Sequence, residues 1–163
     1  MNKKLILIIV SSVLAVALLV TGAIFVVKNL GGCTVSLKSE KALAGNTVEI
    51  PIKLSKNVGL YYGRLVINYD SENLGLASCV AGDVFEEFEY NDVDGTVNIL
   101  VNQLGLTNAK EDGIVATLVF YIKDSADKGV YEIVIDEESA FCNVSDPEDL
   151  IFPKFKNGKI TVK

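Results

Sequence analysis

The side chains in this chain that could best do chemistry are carboxylates, and two short clusters concentrate them. The clusters are Glu86-Glu87-Phe88-Glu89 and Asp136-Glu137-Glu138. Two carboxyl groups can cleave a glycosidic bond when one is a protonated general acid, which requires apolar surroundings that raise its pKa. Neither cluster has such surroundings in the sequence. We therefore interpret both clusters as solvated loop charge.

Two other groups of polar residues, Asp92-Val93-Asp94 and Asp124-Ser125-Ala126-Asp127, could offer oxygen atoms to calcium. Neither follows the twelve-residue pattern of a calcium-binding loop. The chain also has no histidine, which removes the commonest general base and the commonest metal ligand. The sequence therefore predicts no catalytic residue, no metal site and no cofactor, and an enzyme is not expected.

The cysteines leave more than one chemistry open. Cys33 ends the sequence Leu30-Gly31-Gly32-Cys33, which resembles a bacterial lipobox, where a lipid is attached to the cysteine. Lys28-Asn29 departs from that pattern because lipoprotein signals are normally apolar there. If Cys33 is lipidated or free, Cys79 and Cys142 form one possible disulfide. The alternative is that both are buried thiols that pack as small apolar side chains.

Residues 1–33 are interpreted as a signal peptide or transmembrane anchor with a short linker. An uncharged, largely apolar run extends from Leu5 to Val27, and as a helix it would be about 35 Å long, enough to cross a hydrocarbon core of about 30 Å. The run is longer than the apolar region of a secretory signal, which favours a retained anchor over a lipoprotein signal or simple cleavage. The lysines before the run favour a cytoplasmic amino terminus, which places the rest of the chain on the extracellular face of a bacterial membrane.

Length and charge limit the nature of the remaining chain. A chain of 163 residues, half of them apolar, allows one core domain, which we place at residues 34–163. Without the three lysines that precede it, the domain has 12 basic and 21 acidic side chains, a net charge of −9. Such a surface repels phosphate backbones, so nucleic acid is not expected as a partner.

From Thr34 onward, polar and apolar residues alternate with a period of two, which predicts an all-β domain. Tight turns such as Asp94-Gly95 separate the alternating segments, because glycine after aspartate supplies the positive φ that a hairpin needs. Phe85 to Tyr90 could be a short strand or an irregular turn. This spacing predicts a two-sheet sandwich. The predicted strands are Thr34–Lys38, Thr47–Leu54, Leu60–Tyr69, Ala77–Ala81, Thr96–Asn102, Ile114–Ile122, Val130–Ile135 and Lys159–Val162.

Some apolar residues face away from the predicted core. Their alternation places them opposite core residues such as Ile67 and Phe120. A cluster of outward apolar side chains indicates a contact surface, unless the protein's own loops cover it or the alternation fails at a bulge. The outward residues are Val66, Leu100, Val119 and Tyr121.

Five strand and turn motifs follow one another along the domain. They are Ala44-Gly45-Asn46-Thr47-Val48-Glu49-Ile50-Pro51-Ile52, Leu65-Val66-Ile67-Asn68-Tyr69-Asp70 with Leu74, Val80-Ala81-Gly82-Asp83, Asp112-Gly113-Ile114-Val115-Ala116-Thr117-Leu118-Val119-Phe120 and Asn157-Gly158-Lys159-Ile160-Thr161-Val162. In this order they resemble the cohesin domain of cellulosome scaffolds, over about Thr34 to Val162. The resemblance implies a nine-stranded jelly-roll β-sandwich that binds a dockerin module on another protein. Dockerins fold around calcium, so calcium is expected on the partner and not on this chain.

The resemblance also implies a docking face made from the third, fifth, sixth and eighth strands. Tyr62 and Arg64 occupy positions that often hold Asn and Asp in cohesins, and with Tyr121 they are the expected anchors. The eighth strand is sought between Phe141 and Phe152. Carried over by position, the face comprises Tyr62, Arg64, Val66 and Asn68 from the third strand, Asn98, Leu100 and Asn102 from the fifth, and Val115, Thr117, Val119 and Tyr121 from the sixth.

Two functions are expected from these observations. The first is a surface-tethered cohesin-like module that recruits a dockerin-bearing protein to a cellulosome-type assembly for polysaccharide degradation. The second is a carbohydrate-binding module that attaches the cell to polysaccharide, with Tyr61, Tyr62, Tyr90 and Tyr121 as a stacking platform. The absence of tryptophan, the strongest stacking residue, weighs against the second.

Overall fold

The computed structural model describes residues 32–105, 107–109 and 111–163, without the side chains of Asp146, Pro147 and Asp149. Within these ranges the secondary structure consists of thirteen β-strands. The same ranges contain no helix long and apolar enough to cross a membrane. Of the predicted anchor and linker at residues 1–33, residues 1–31 lie outside the described part of the chain.

The strands confirm the all-β prediction, but the expected count of nine is too low. All eight predicted strands are present, and Phe85–Tyr90 belongs largely to a strand. Four more strands, of three to six residues each, were not predicted. The strands are β1 (Thr34–Leu37), β2 (Glu40–Ala42), β3 (Thr47–Ser55), β4 (Tyr62–Tyr69), β5 (Leu74–Ala81), β6 (Glu87–Val93), β7 (Thr96–Asn102), β8 (Gly113–Ile122), β9 (Gly129–Ile135), β10 (Ala140–Asn143), β11 (Asp146–Ile151), β12 (Lys154–Lys156) and β13 (Gly158–Val162).

These strands form two sheets. One has five strands in the order β12-β1-β3-β8-β5. The other has eight strands and is organised around β4. On one side β4 pairs along its length with β7, which in turn pairs with β6. On its other side, β4 pairs with β10 at residues 62–64 and with β9 at residues 67–69.

The two sheets enclose a single hydrophobic core. Leu65 and Ile67 from β4 and Leu118 and Phe120 from β8 are fully buried, as their alternation predicts. The ring of Tyr69 meets the ring of Phe120 edge-on at a centroid distance of 5.0 Å. Each fully buried side chain of this size stabilises the fold by about 1.5–3 kcal/mol. The core therefore holds β4 in place and leaves its other face outward.

The β6–β7 hairpin has the turn that the sequence predicts. Asp94 and Gly95 both have positive φ, 50° and 86°, as the two central residues of a type I′ turn require. The turn pairs Val93 with Thr96 and fixes the register of the two strands from that point. As a result, the acidic residues of β6 lie directly beside the outward residues of β7.

Candidate docking face

The outer surface of β10, β4, β7 and β6 forms one continuous face, called here the β4–β7 face. Residues paired directly across antiparallel strands present their side chains on the same side of the sheet. The paired rows are Cys142, Tyr62, Asn102 and Glu87; Ala140, Arg64, Leu100 and Glu89; Val66, Asn98 and Asn91; and Asn68, Thr96 and Val93. The structure thus brings together all seven residues that were carried over to the third and fifth strands.

A shallow groove crosses this face. Its volume is about 440 Å³, and its walls include Tyr62, Leu100, Glu87 and Glu89. Tyr62 is 42% exposed and Leu100 is 37% exposed, although neither belongs to a loop. Exposed aromatic and aliphatic side chains beside acidic groups suit a partner surface that presents an apolar side chain next to a basic one.

The polar side chains of the face are held by hydrogen bonds to one another. Arg64 donates from Nη2 to Asn98 Oδ1 at 2.8 Å, and Asn102 donates from Nδ2 to Glu87 Oε2 at 2.7 Å. Asn68 accepts from Thr96 Oγ1 at 2.9 Å. Ordering these side chains before a partner arrives lowers the entropy lost on binding.

Val66 is on this face but is not an exposed contact. Its side chain is only 5% exposed. Its amide donates to Ser139 Oγ at 2.9 Å, and its carbonyl accepts from the amide of Asp136 at 2.8 Å. The corner between β9 and β10 therefore lies against β4 at this residue. The prediction of an exposed Val66 is wrong, because the protein's own chain covers the position.

The residues carried over to the sixth strand are not on this face. They lie on β8, which is between β3 and β5 in the five-stranded sheet: Val115, Thr117, Val119 and Tyr121. Thr117, Val119 and Tyr121 face outward there, on the opposite side of the sandwich. The prediction that these residues share one face with β4 is wrong. Alternation shows which residues point outward, but it does not show which sheet a strand joins. Tyr121 Oη donates to Asp124 Oδ2 at 2.7 Å and cannot act beside Tyr62.

Val115 departs from the alternation as well. It is 2% exposed and belongs to the core. Ile52 pairs with Ala116 while Lys53 pairs with Ile114, so the β3–β8 ladder has a bulge at Val115. A bulge places two successive side chains on the same side of a strand. Val115 and Ala116 both point inward for this reason.

Two further strands complete the face. The region from Phe141 to Phe152, where the eighth strand was sought, includes most of β10 and all of β11, and β10 borders β4 directly. On the other side, β6 adds Glu87 and Glu89, which were interpreted as loop charge. The signal for β6 was present, because Glu87 and Glu89 alternate with Phe88 and Tyr90.

All three cysteines are buried free thiols. Cys79 belongs to β5 of the five-stranded sheet, whereas Cys142 lies opposite Tyr62 on the outer side of the eight-stranded sheet. The possible Cys79–Cys142 disulfide is therefore wrong, and the alternative of buried thiols is what the structure shows. Burial raises the pKa of Cys79 to about 12, and it raises the pKa of Cys33 and of Cys142 as well.

The acidic clusters make structural hydrogen bonds. Glu86 accepts from the amide of Leu104 at 2.8 Å, and Asp136 accepts from Asn68 Nδ2 at 2.9 Å. Among the described residues, no group of acidic and cysteine side chains could hold a metal ion.

The proposed tyrosine platform is not formed. Tyr62 is on the β4–β7 face, whereas Tyr121 is on the other sheet. Tyr90 pairs with Ile99, so it points to the side of β6 away from Glu89. The four rings therefore do not share one surface on which a sugar chain could stack.

Comparison with known proteins supports the architecture. The chain matches the cohesin domain family over residues 33–162. The seventh ScaB type I cohesin of Pseudobacteroides cellulosolvens is 26% identical, with a TM-score of 0.73, and the match covers 80% of this chain and 92% of that one. No curated protein matches the chain.

Two similar structures are type I cohesin–dockerin complexes from Clostridium thermocellum. The OlpA cohesin is 26% identical with a TM-score of 0.72, and the match covers 82% of this chain and 100% of that one. The OlpC cohesin is 28% identical with a TM-score of 0.71, and the match covers 80% of this chain and 93% of that one. With this sandwich and a family match that spans nearly all of it, the chain belongs to the cohesin domain family.

Proposed function

We propose that this cohesin domain binds the dockerin module of another protein through the β4–β7 face. The observation that carries the proposal is the groove between Tyr62 and Leu100, on an outward sheet face whose polar side chains are already ordered. Cohesins with the same fold have been solved with dockerins. Cohesin domains are interaction modules, so the function is recruitment rather than catalysis.

The proposal also names the class of partner. The dockerin belongs to a protein of a cellulosome-type assembly that degrades polysaccharide, and calcium is held by the dockerin. Binding should therefore require calcium, and a chelator should abolish it through the partner. The stability of this chain should be the same with and without the chelator.

Alanine substitution at the groove tests the docking surface. We expect Tyr62→Ala and Leu100→Ala each to weaken dockerin binding by about 30-fold, because both remove apolar contact at the centre of the interface. Binding is measured by titration calorimetry against a panel of type I dockerins, including those solved with OlpA and OlpC.

Tyr121→Ala is the matched control for Tyr62→Ala. It removes the same side chain from the outward face of the other sheet, and we expect unchanged affinity. Thermal unfolding of each variant verifies that the fold survives. If no dockerin of the panel binds, or if Tyr121→Ala weakens binding as much as Tyr62→Ala, the docking assignment is wrong.

We also propose that the domain is held at the extracellular face of a bacterial membrane by a retained helix at residues 5–27. The apolar run supports the anchor. The burial of Cys33 argues against the lipoprotein alternative, since Cys33 is 4% exposed and packs in the core. A lipid on that sulfur would have to leave the core.

Intact mass of the membrane-extracted protein separates the possible tethers. A retained helix gives the full 17.6 kDa chain, whereas a lipoprotein gives a shorter chain that begins at Cys33 and carries additional lipid mass. A shortened chain without lipid would show that the domain is released.

A further inference from the structure

Four lysines lie together where the chain enters the domain. Lys154 and Lys156 of β12 and Lys53 of β3 project from the outer face of the five-stranded sheet, because Ser36 of β1 pairs with both Lys156 and Lys53. Lys56 is the fourth. We call Lys53, Lys56, Lys154 and Lys156 the lysine edge; all four are exposed.

Two contacts place this edge beside the start of the domain. The amide of Lys154 donates to the carbonyl of Cys33 at 2.9 Å. The side chain of Lys56 lies against Gly32, where a Cβ would come within 3.6 Å of the ammonium nitrogen. The chain therefore enters the domain beside Lys56 and Lys154.

The lysine edge is electropositive in a domain that is otherwise acidic. None of the four lysines forms a salt bridge with a described carboxylate; the ion pair found among the described residues joins Lys38 and Glu40. Asp112 lies near Lys53, and its carboxylate accepts from the amide of Asn57 at 2.8 Å. With Asp112 included, the edge still carries three net positive charges.

Glu49, Glu87 and Glu89 lie away from the lysine edge. On the outer face of β3, the nearest carboxylate along the strand is Glu49, about 13 Å from Lys53 at 3.3 Å per residue. Glu87 and Glu89 belong to the β4–β7 face, on the opposite side of the sandwich. Together with Arg64, they leave the β4–β7 face with a net charge of −1, whereas the lysine edge is basic.

The tether proposed above would place a membrane close to this edge. Residues 28–31 separate Val27, the end of the apolar run, from Gly32, and so short a segment spans at most about 18 Å. Charges on a protein surface act over about 8–10 Å at physiological ionic strength. The lysine edge can come within that range of lipid headgroups. The β4–β7 face lies on the far side of both sheets and is outside that range.

We propose that the lysine edge binds the anionic phospholipid headgroups of the membrane in which residues 5–27 are anchored. The proposal rests on the membrane tether proposed above. Binding at this edge orients the domain so that the β4–β7 face points away from the membrane. The lysine edge thereby presents the groove to a dockerin that arrives from outside the cell.

Lysine acetylation of the full chain in vesicles tests this orientation. The protein is reconstituted into phosphatidylcholine vesicles and into vesicles of equal parts phosphatidylcholine and phosphatidylglycerol. The acetylation rate of each lysine is then followed by peptide mass spectrometry. We expect the lysine edge to react at least about threefold more slowly in the anionic vesicles, and high salt to remove the difference.

Lys128 and Lys159 are the internal controls, because both are exposed and Lys159 lies on the other sheet. Their rates should be equal in the two kinds of vesicle. Equal rates for the lysine edge in both kinds, or equal slowing of Lys128 and Lys159, would overturn the proposal.

A double variant tests whether the lysines act together. In K154S/K156S, Lys53 should regain the reactivity that it has in phosphatidylcholine vesicles, whereas K128S/K159S should leave the protection of Lys53 intact. Continued protection of Lys53 in K154S/K156S would contradict joint binding. Failure of the chain to float with vesicles would overturn the tether and this proposal together, while dockerin binding, measured in detergent, would be unaffected.

Discussion

At the scale of single residues, burial distinguishes side chains that look alike in the sequence. The three cysteines are an example, since their spacing allowed a lipid, a disulfide or plain packing. Cys33 and Cys79 pack in the core, and Cys142 is buried on the outer side of the eight-stranded sheet. Val66 is another example. The alternation correctly predicts that its side chain points outward, but its burial depends on Ser139, which is distant in sequence.

Thiol counting tests the state of the cysteines. In denaturant without reductant, we expect three thiols per chain to react with a disulfide reagent, because all three are free. In the native protein the reaction should be slow, since a buried thiol reacts only after local opening. A count of one thiol in denaturant would show that two of the cysteines are bonded.

Cys79 should make the fold sensitive to alkaline pH. An unfolded thiol ionises near pH 8.5, whereas burial raises the pKa of Cys79 to about 12 in the native state. Between these values the unfolded chain loses a proton that the native protein keeps. The stabilisation is therefore complete at lower pH and is lost as the pH rises, by up to about 1.4 kcal/mol per pH unit.

Urea unfolding from about pH 8 to about pH 11 measures this loss. Cys79→Ala should be less stable at neutral pH, because it removes a buried side chain, but its stability should fall less steeply with pH. An equally steep fall in the wild type and in Cys79→Ala would assign the alkaline sensitivity to other groups.

At the scale of elements, the period of two predicts where strands lie in the sequence, but it does not predict which sheet each strand joins. The period of two found every strand of seven residues or more except β6, for which a strand was one of two alternatives. It could not show that β8 joins the sheet opposite β4, because both sheets bury alternate residues in the same core. The bulge at Val115 was hidden as well, since it depends on the pairing of β8 with β3.

The turn between β6 and β7 should be intolerant of side chains. Gly95 has φ of 86°, and a Cβ there would lie 2.8 Å from the carbonyl oxygen of Tyr69. We expect Gly95→Ala to lower the free energy of unfolding by about 1 kcal/mol or more, measured by urea denaturation.

Gly75→Ala in β5 is the matched control for Gly95→Ala. Apart from its two chain neighbours, no residue has a heavy atom within 4 Å of a Cβ at that position, and its φ is not positive. Alanine there reduces the entropy of the unfolded chain and should be neutral or stabilising by up to about 1 kcal/mol. Equal losses in the two variants would argue against a strained turn.

At the scale of the whole molecule, the order of the motifs identified the family, although no single motif could do so. Each motif is ordinary strand and turn chemistry, but their sequence along the chain reflects one topology. The charge distribution, in contrast, was not predictable. A net charge of −9 describes the domain as a whole, and only the folded structure separates Glu87 and Glu89 from the lysine edge.

The acidic groove should accelerate association with a basic dockerin. Opposite charges steer encounter, and salt screens them, so we expect the association rate to fall about tenfold from low to high salt. Glu87→Gln/Glu89→Gln should flatten this dependence in surface plasmon resonance, whereas Glu49→Gln, on the other sheet, should not. An unchanged slope in the double variant would exclude these two carboxylates from steering.

Ser139 has a consequence for how this domain can diverge. Near this residue, the strand that pairs with β4 changes from β9 to β10. The Ser139 hydroxyl accepts a hydrogen bond from the amide of Val66 and donates one to its carbonyl. Loss of the hydroxyl would leave a buried amide without a partner. Glu137 and Glu138, in contrast, are exposed. Within this short corner, related sequences should therefore vary at Glu137 and Glu138 but keep a hydroxyl side chain at Ser139.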